Sequence, residues 1–409
     1  MDTPPASIFG RIAELDALRG FAVIGIVLMN VFAFAMPPAA YYNPAAYGGT
    51  APAELGSWAL GFVLVEDKFR NLFAMMFGTG VAILLERERQ YPLRKHYARM
   101  AVLFVFGFLH ALLLSSSDVL RLYALCGLVL PLAVRWPVKR LLFAAAALVA
   151  LHMAVGGYIA WGWLEYWWRF ATVPGTGFAP LMPAEAAFGA DPDAIARGLE
   201  TGREALGERV AARLANPAAP LLAGLAILPL TLAAMLAGIA MLRSGLIVAQ
   251  WPVARLRRFG FRLTGLALPP LAALAAFAFH AGFNGAVIGT NALVWSAPFD
   301  LLLGTAWACL AMAGFQSQAG SALVARLAAT GRMALTNYLA SSLVLGGIFA
   351  GWGLGLFGEV GRLEAYAIAL VPITLMLLLS PLWLARFRQG PAEWLWRGLA
   401  NCRFAPLRR

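Results

Sequence analysis

Again and again along this chain, an uninterrupted apolar run reaches roughly the 20 residues that an α-helix needs to cross a bilayer. The runs cover Ala17 to Met36, Asp67 to Leu85, Tyr97 to Leu114, Val119 to Val134, Arg140 to Trp163, Pro220 to Leu242, Phe261 to Phe279, Leu293 to Phe315, Ala334 to Leu354 and Ala365 to Ala385. Apolar residues make up 61% of the chain and charged residues 13%, with a mean hydropathy of +0.74, so lipid rather than water is the main solvent. An open sheet cannot satisfy its backbone in hydrocarbon, and these runs far exceed the roughly ten-residue alternating strands of a membrane barrel. The sequence therefore predicts an all-α, polytopic integral membrane protein of about ten transmembrane helices, forming one transmembrane domain over residues 1–409.

Orientation follows from the connections, because basic loops stay in the cytoplasm. Met36 to Gly56, Ser115 to Asp118 and Ala281 to Asn291 carry no Lys or Arg. By contrast Arg87, Arg89, Arg94, Lys95 and Arg99 crowd the second connection, Arg135, Lys139 and Arg140 the fourth, and Arg243, Arg255, Arg257, Arg258 and Arg262 the sixth. Arg326, Arg332 and the basic tail continue the alternation, which predicts both termini on the cytoplasmic side. Arg11 and Arg19 precede an apolar stretch ending at Ala33-Phe34-Ala35, as in a cleaved signal peptide, but Asp2, Glu14 and Asp16 and the length of the run favour a retained spanning helix. The connection over 164–219 is the longest and holds many acids. Alternation puts it outside, and the spacing of Ile195, Leu199, Leu206, Val210 and Leu214 predicts an amphipathic helix over Asp193 to Asn216.

The formal charge of +12 raises nucleic acid as a partner, yet the Arg residues fall between apolar runs rather than along one soluble face, so topology explains them and no nucleic-acid partner is expected. Cys126, Cys309 and Cys402 are scattered and outside CxxC spacing; neither a disulfide framework nor a metal site is signalled, and they read as small buried hydrophobes.

Polar residues inside apolar runs are the candidates for function. Asn30 lies about 16 Å deeper along the first helix than Arg19, and serves either an interhelical hydrogen bond or a substrate. Asp16 and Arg19 are three apart and can pair on one face. Glu66, Asp67, Lys68, Arg70 and Asn71 form a dense charge cluster, which the topology sets at the outer mouth of the second helix, with Asp67, Lys68 and Arg70 as substrate ligands. His110, near the outer end of the third helix, is followed after a short turn by Asp118. A histidine and a carboxylate at one depth suit a general base and its orienting partner, although a structural hydrogen bond or neutralisation of Asp118 by Arg121 would use the same residues. His280 and Asn284 are expected to reach the same outer face. His96 and His152 carry no role, His152 falling in a lipid-facing stretch. On the cytoplasmic side, Arg332, Thr336 and Asn337 open the ninth helix, where backbone amides and an Arg can bind an anionic cofactor or simply cap the helix.

Several of these strings occur together in a pattern that resembles the YeiB-like family of bacterial membrane proteins: LDALRG at Leu15 to Gly20 with Asn30, DKFRNLFAMMFGTG at Asp67 to Gly80, GFLHALLL and DVLRLYALCG between Gly107 and Gly127, GRMALTNYLASSL at Gly331 to Leu343, and FRQGPAEWLWR at Phe387 to Arg397. That family is similar to a wider group of transmembrane acyltransferases, which includes a lysosomal enzyme that acetylates heparan glucosamine with cytosolic acetyl-CoA. The resemblance implies acetyl-CoA or another acyl-CoA as donor, an extracytoplasmic sugar, lipid or small-molecule acceptor, and a multi-pass protein of the bacterial cytoplasmic membrane. The lysosomal enzyme places its catalytic histidine in the outer segment after the first helix. Pro37 to Gly56 holds none, so His110 or His280 would supply the base from another helix.

Three functions stay open on this reading: an acyltransferase using His110, Asp118 and Asn30; a transporter of a small, anionic metabolite using Lys68, Arg70 and His110; and a lipid-binding protein without turnover. The bilayer is the one partner common to all three, and a homo-oligomer is compatible with each.

Overall fold

The computed structural model describes residues 12–87, 92–115 and 118–409; Arg11 and Arg89 of the charge pattern lie outside the described residues. Helix α1 (Ala13–Ala35) runs without a breaker until Met36, whose extended backbone (φ −140°, ψ 161°) is what a residue ahead of Pro37 adopts. Helix α2 (Pro52–Leu64) begins on a proline at its first turn, where no amide partner is needed. Helix α3 (Lys68–Arg87) follows it after a break at Asp67, whose φ of 60° is left-handed. The two halves form one interrupted apolar rod over Pro52–Glu86.

Next come α4 (Leu93–Leu113), α5 (Leu120–Ala133) and α6 (Val138–Thr172). With 35 residues, α6 is about 52 Å long and outreaches a hydrocarbon core of about 30 Å. Short helices α7 (Met182–Phe188), α8 (Pro192–Arg203), α9 (Leu206–Ala215) and α10 (Ala219–Leu225) lead to α11 (Leu228–Arg243) and α12 (Val253–His280). Helix α13 (Gly285–Thr290) and a π turn at Asn291–Trp295 precede α14 (Ala297–Ser317), α15 (Ala322–Arg332), α16 (Ala334–Phe349), α17 (Arg362–Arg386) and α18 (Pro391–Ala400). Among the described residues seven helices are long and apolar enough to cross a membrane, α2 and α3 counting as one, and shorter apolar helices accompany them. Among the described residues there is no strand, only an isolated bridge between Phe387 and Arg408.

Lipid gives apolar helices no hydrophobic reason to associate, so close packing through small residues has to supply the attraction. Helix α1 meets α15 where Gly20 lies against the Leu327 carbonyl and Gly331 against the Asp16 carbonyl, leaving no room for a Cβ at either position. Helices α3 and α11 cross in the same way at Gly78 and Gly238, and Thr79 Oγ1 donates to the Gly238 carbonyl at 3.0 Å.

One end of the bundle gathers the basic connections. Arg243 binds Glu86 at 2.6 Å and the Arg135 carbonyl at 3.4 Å, and Trp396 of α18 donates to the Arg99 carbonyl at 2.8 Å. At the opposite end Asn43 Nδ2 ties the Phe188 and Phe283 carbonyls at 2.7 and 2.8 Å, and Tyr47 donates to the Gly358 carbonyl at 2.6 Å. Over this second end lie α8 and α9. The single amphipathic helix expected over Asp193 to Asn216 is broken at Glu204 and Ala205, where the Glu208 carboxylate caps the restart at the Ala205 amide, 3.1 Å away. The pair is clamped by Arg203 on Glu359 at 2.5 Å and by Arg213 on the Ala111 and Leu112 carbonyls at 2.9 and 3.0 Å.

Two smaller expectations change. His152 is not lipid-facing: it is buried, with Nε2 2.8 Å from the Leu293 carbonyl in the π turn. Cys126 and Cys309 are buried as expected, whereas Cys402, past the end of α18, is exposed.

Candidate functional site

His110 sits on the last turn of α4, where its carbonyl takes the amides of Leu114 and Ser115 and ends the helix. Helix α5 begins at Leu120, two positions after Asp118. Asp118 performs two tasks there: Oδ2 accepts from the Arg121 amide at 3.0 Å, as capping side chains do for a first helical turn, and Oδ1 lies 3.0 Å from His110 Nδ1. Arg121 Nε is 3.4 Å from Oδ2 of the same carboxylate. All three side chains are buried. Gly107, one turn before His110, makes the pairing feasible, because a Cβ there would stand 2.5 Å from Asp118 Oδ2 and 2.6 Å from the Arg121 amide.

The other ring nitrogen, His110 Nε2, lies 2.9 Å from Ser342 Oγ on α16. One turn earlier on α16, the Tyr338 ring covers the imidazole at 5.0 Å between centroids. Helix α1 meets α15 at Gly20 and Gly331, and its Phe34 approaches Gly346 of α16; Asn30 lies between these points on α1, half-buried. From the lid, Arg213 holds the carbonyls directly after His110. Partial burial, with Arg209 near it, lowers its guanidinium to about 10.

A second constellation occupies the break between α2 and α3. It is not at a helix mouth, as topology alone suggests, but inside the bundle, because apolar α2 continues the rod beyond it; the Asp67 amide contacts Met29 Sδ of α1 at 3.4 Å. Lys68 is buried with Asp300 of α14, Nζ to Oδ1 2.6 Å, and also donates to the Phe62 carbonyl left free at the end of α2. Ser296 donates to the other Asp300 oxygen at 2.6 Å. Arg70 pairs with Asp67 at 2.9 Å, and its carbonyl accepts from Tyr123 at 3.2 Å. Beside the break is a cavity of about 20 Å³, room for about one water, lined by Glu66, Arg362, Tyr366 and aromatic side chains. Phe73 lies between Tyr123 and Tyr338, at 5.8 and 6.4 Å, so the two constellations are neighbours joined through aromatic rings.

The remaining sequence candidates do not join them. His280 is exposed at the end of α12. Asn284 caps α13 through the Ala286 amide at 3.0 Å and donates to Glu185 at 2.5 Å, so its polar atoms are consumed by the outer loops. The expected anion site at the start of α16 is filled by the protein itself. Glu393 of α18 accepts from the Leu335 and Thr336 amides at 2.7 and 3.1 Å and from the Thr336 hydroxyl at 2.5 Å. Burial pushes the Glu393 carboxyl above the ordinary range, against the opposing effect of these hydrogen bonds. Asn337 is spent on the Thr330 carbonyl at 2.9 Å and Ser380 at 3.0 Å, and Arg332 reaches the Arg388 carbonyl at 3.4 Å. The Leu335 and Thr336 amides are thus already taken. Sequence reasoning also misses Ser342 and Asp300, each set by a distant helix; the only signal for Ser342 is its place in the string from Gly331 to Leu343.

Comparison with known proteins adds lineage. Residues 241–403 match the model of a family described as a protein of unknown function, DUF418, a segment that includes Asp300, Ser342 and Glu393 but neither His110 nor Asp118. An uncharacterised protein of Escherichia coli K12, YeiB, is 34% identical over 399 residues, covering 95% of this chain and 96% of that protein. The uncharacterised protein YxaH of Bacillus subtilis is 26% identical over 419 residues, covering 97% and 96%.

Proposed function

Given that the chain belongs to the YeiB family of uncharacterised proteins, we propose that it is a membrane-embedded acyltransferase that moves an acyl group from a cytoplasmic acyl thioester to an extracytoplasmic sugar, lipid or small-molecule acceptor. The observation that carries this reading is the buried Asp118–His110 pair, with Nδ1 held and Nε2 directed into the protein. An imidazole fixed in this way is arranged for proton transfer rather than for packing alone. In this reading His110 is the base, Asp118 fixes its tautomer, and Asn30 polarises the acyl carbonyl. The chain crosses the bacterial cytoplasmic membrane ten times with both termini inside. The gathering of basic connections at the end of the bundle opposite the α8–α9 lid supports that frame.

The test is acyl-CoA consumption by purified protein in nanodiscs, supplied with a membrane extract as acceptor source. His110→Ala and Asp118→Asn should each cut turnover by at least about 10²-fold. Equal rates in wild type and both variants would remove the reading. A transporter is the second reading, favoured by the broken helix at Asp67 and the buried Lys68–Asp300 pair, since interrupted helices with charged residues line many substrate sites in membranes. Accumulation of an unmodified solute in proteoliposomes would select it.

A further inference from the structure

A base needs a lone pair with a proton in front of it, and the contacts of His110 identify which proton that is. Asp118 also accepts from the Arg121 amide, and a carboxylate has only acceptors to offer, so the hydrogen between Asp118 and the ring belongs to Nδ1. The neutral imidazole then has its lone pair on Nε2, and 2.9 Å away is Ser342 Oγ. The single hydroxyl hydrogen has one other acceptor in reach, the Tyr338 carbonyl at 3.3 Å, which is the longer contact. The Tyr338 ring lies tilted against the imidazole, 5.0 Å between centroids. Carboxylate, imidazole and hydroxyl thus follow one another at 3.0 and 2.9 Å, drawn from three separate helical segments, in the order that activates a serine for attack.

We infer that Ser342 is a nucleophile that carries the acyl group as an ester between donor and acceptor, an inference resting on the acyl-transfer reading above. In the first half-reaction Ser342 Oγ bonds to the thioester carbonyl carbon while its proton passes to His110 Nε2. The C–S bond then breaks, and the leaving sulfur takes that proton and departs as a thiol. In the second, the acceptor O–H or N–H attacks the ester carbon, giving its proton to His110. The C–Oγ bond breaks and Oγ recovers the proton. No oxidant, reductant or water is consumed. Ser342 is 2% exposed, and this enclosure has a chemical use, since an acyl ester shielded from water survives until the acceptor arrives. Serine rather than histidine as carrier also leaves the imidazole free to serve both half-reactions.

The full chain in nanodiscs is incubated with radiolabelled acetyl-CoA and, in parallel, palmitoyl-CoA, without acceptor, then quenched in acid and digested. Label should appear on the peptide holding Ser342, vanish in Ser342→Ala and form at least about 10²-fold more slowly in His110→Ala. Ser342→Cys should take up label as a thioester that neutral hydroxylamine releases, which separates loss of the nucleophile from loss of fold. If wild type takes up no label alone but consumes acyl-CoA once the membrane extract is added, or Ser342→Ala consumes it with extract within twofold of wild type while His110→Ala does not, the serine role is overturned and the histidine base survives. If wild type consumes neither donor even with the extract, both readings fall together.

Discussion

Lys68 and Asp300 are 1% and 2% exposed and 2.6 Å apart, which makes them a sharp probe of how the broken helix is held. Lys68→Met leaves the Asp300 carboxylate with Ser296 as its remaining donor, and it also frees the Phe62 carbonyl that the lysine satisfies. Removing one member of a buried pair costs about 3–5 kcal/mol, because the charge left behind has no compensation. Spread over 409 residues at the unfolding entropy usual per residue, that loss is about 4–6 °C in the midpoint of thermal unfolding. Lys68→Met with Asp300→Leu removes both charges and should recover most of the difference, since a buried pair contributes little beyond an apolar replacement of similar volume. Thermal unfolding of the two single variants and the double variant in one detergent measures this directly. If the double variant is as unstable as the sum of the singles, the two side chains do not act as a unit and the account of the break is wrong.

Two further outcomes follow from the site and its support. Gly107→Ala should displace Asp118 from His110 and lower turnover by about 10²-fold with the bundle intact, read together with the ¹⁵N signal of the His110 tautomer; full activity would show that the carboxylate is not needed where it stands. Glu393 has a carboxyl raised by burial, so the folded protein holds that proton more tightly than the unfolded chain does. Its contribution is fully present below the ordinary glutamate value of about 4.3 and fades as pH rises through the raised one. Wild type should therefore gain stability relative to Glu393→Gln as pH falls from 7 towards 5, and parallel pH profiles for the two proteins would refute this.

The apolar runs make the helical membrane class legible, because hydrocarbon leaves the backbone no other way to satisfy its hydrogen bonds. The contact of His110 with Asp118 is legible for a local reason: the two are eight positions apart, one at the end of α4 and the other just before α5. Ser342 is illegible because it stands 232 positions along the chain from its partner. Helix α2 hides behind the charged string from Glu66 to Arg70, which resembles the end of a span and is in fact a break within one. Arg332, Thr336 and Asn337 do present a polar helix start, but sequence cannot say that Glu393 from α18 takes its amides. Asn284 misleads in the same way, its position foretelling a cap and not what it caps.

The Glu393 cap has a bearing on how the molecule is made. Helix α16 leaves the ribosome well before residue 393 does, and until then its first amides have no protein partner. Ser342 rides on that helix, so its hydroxyl sits on an element whose cap arrives only after α17 and α18 have followed. Assembly of this end thus runs from the tail backwards: a ribosome that stalls between α16 and α18 leaves the start of α16 without its Glu393 cap.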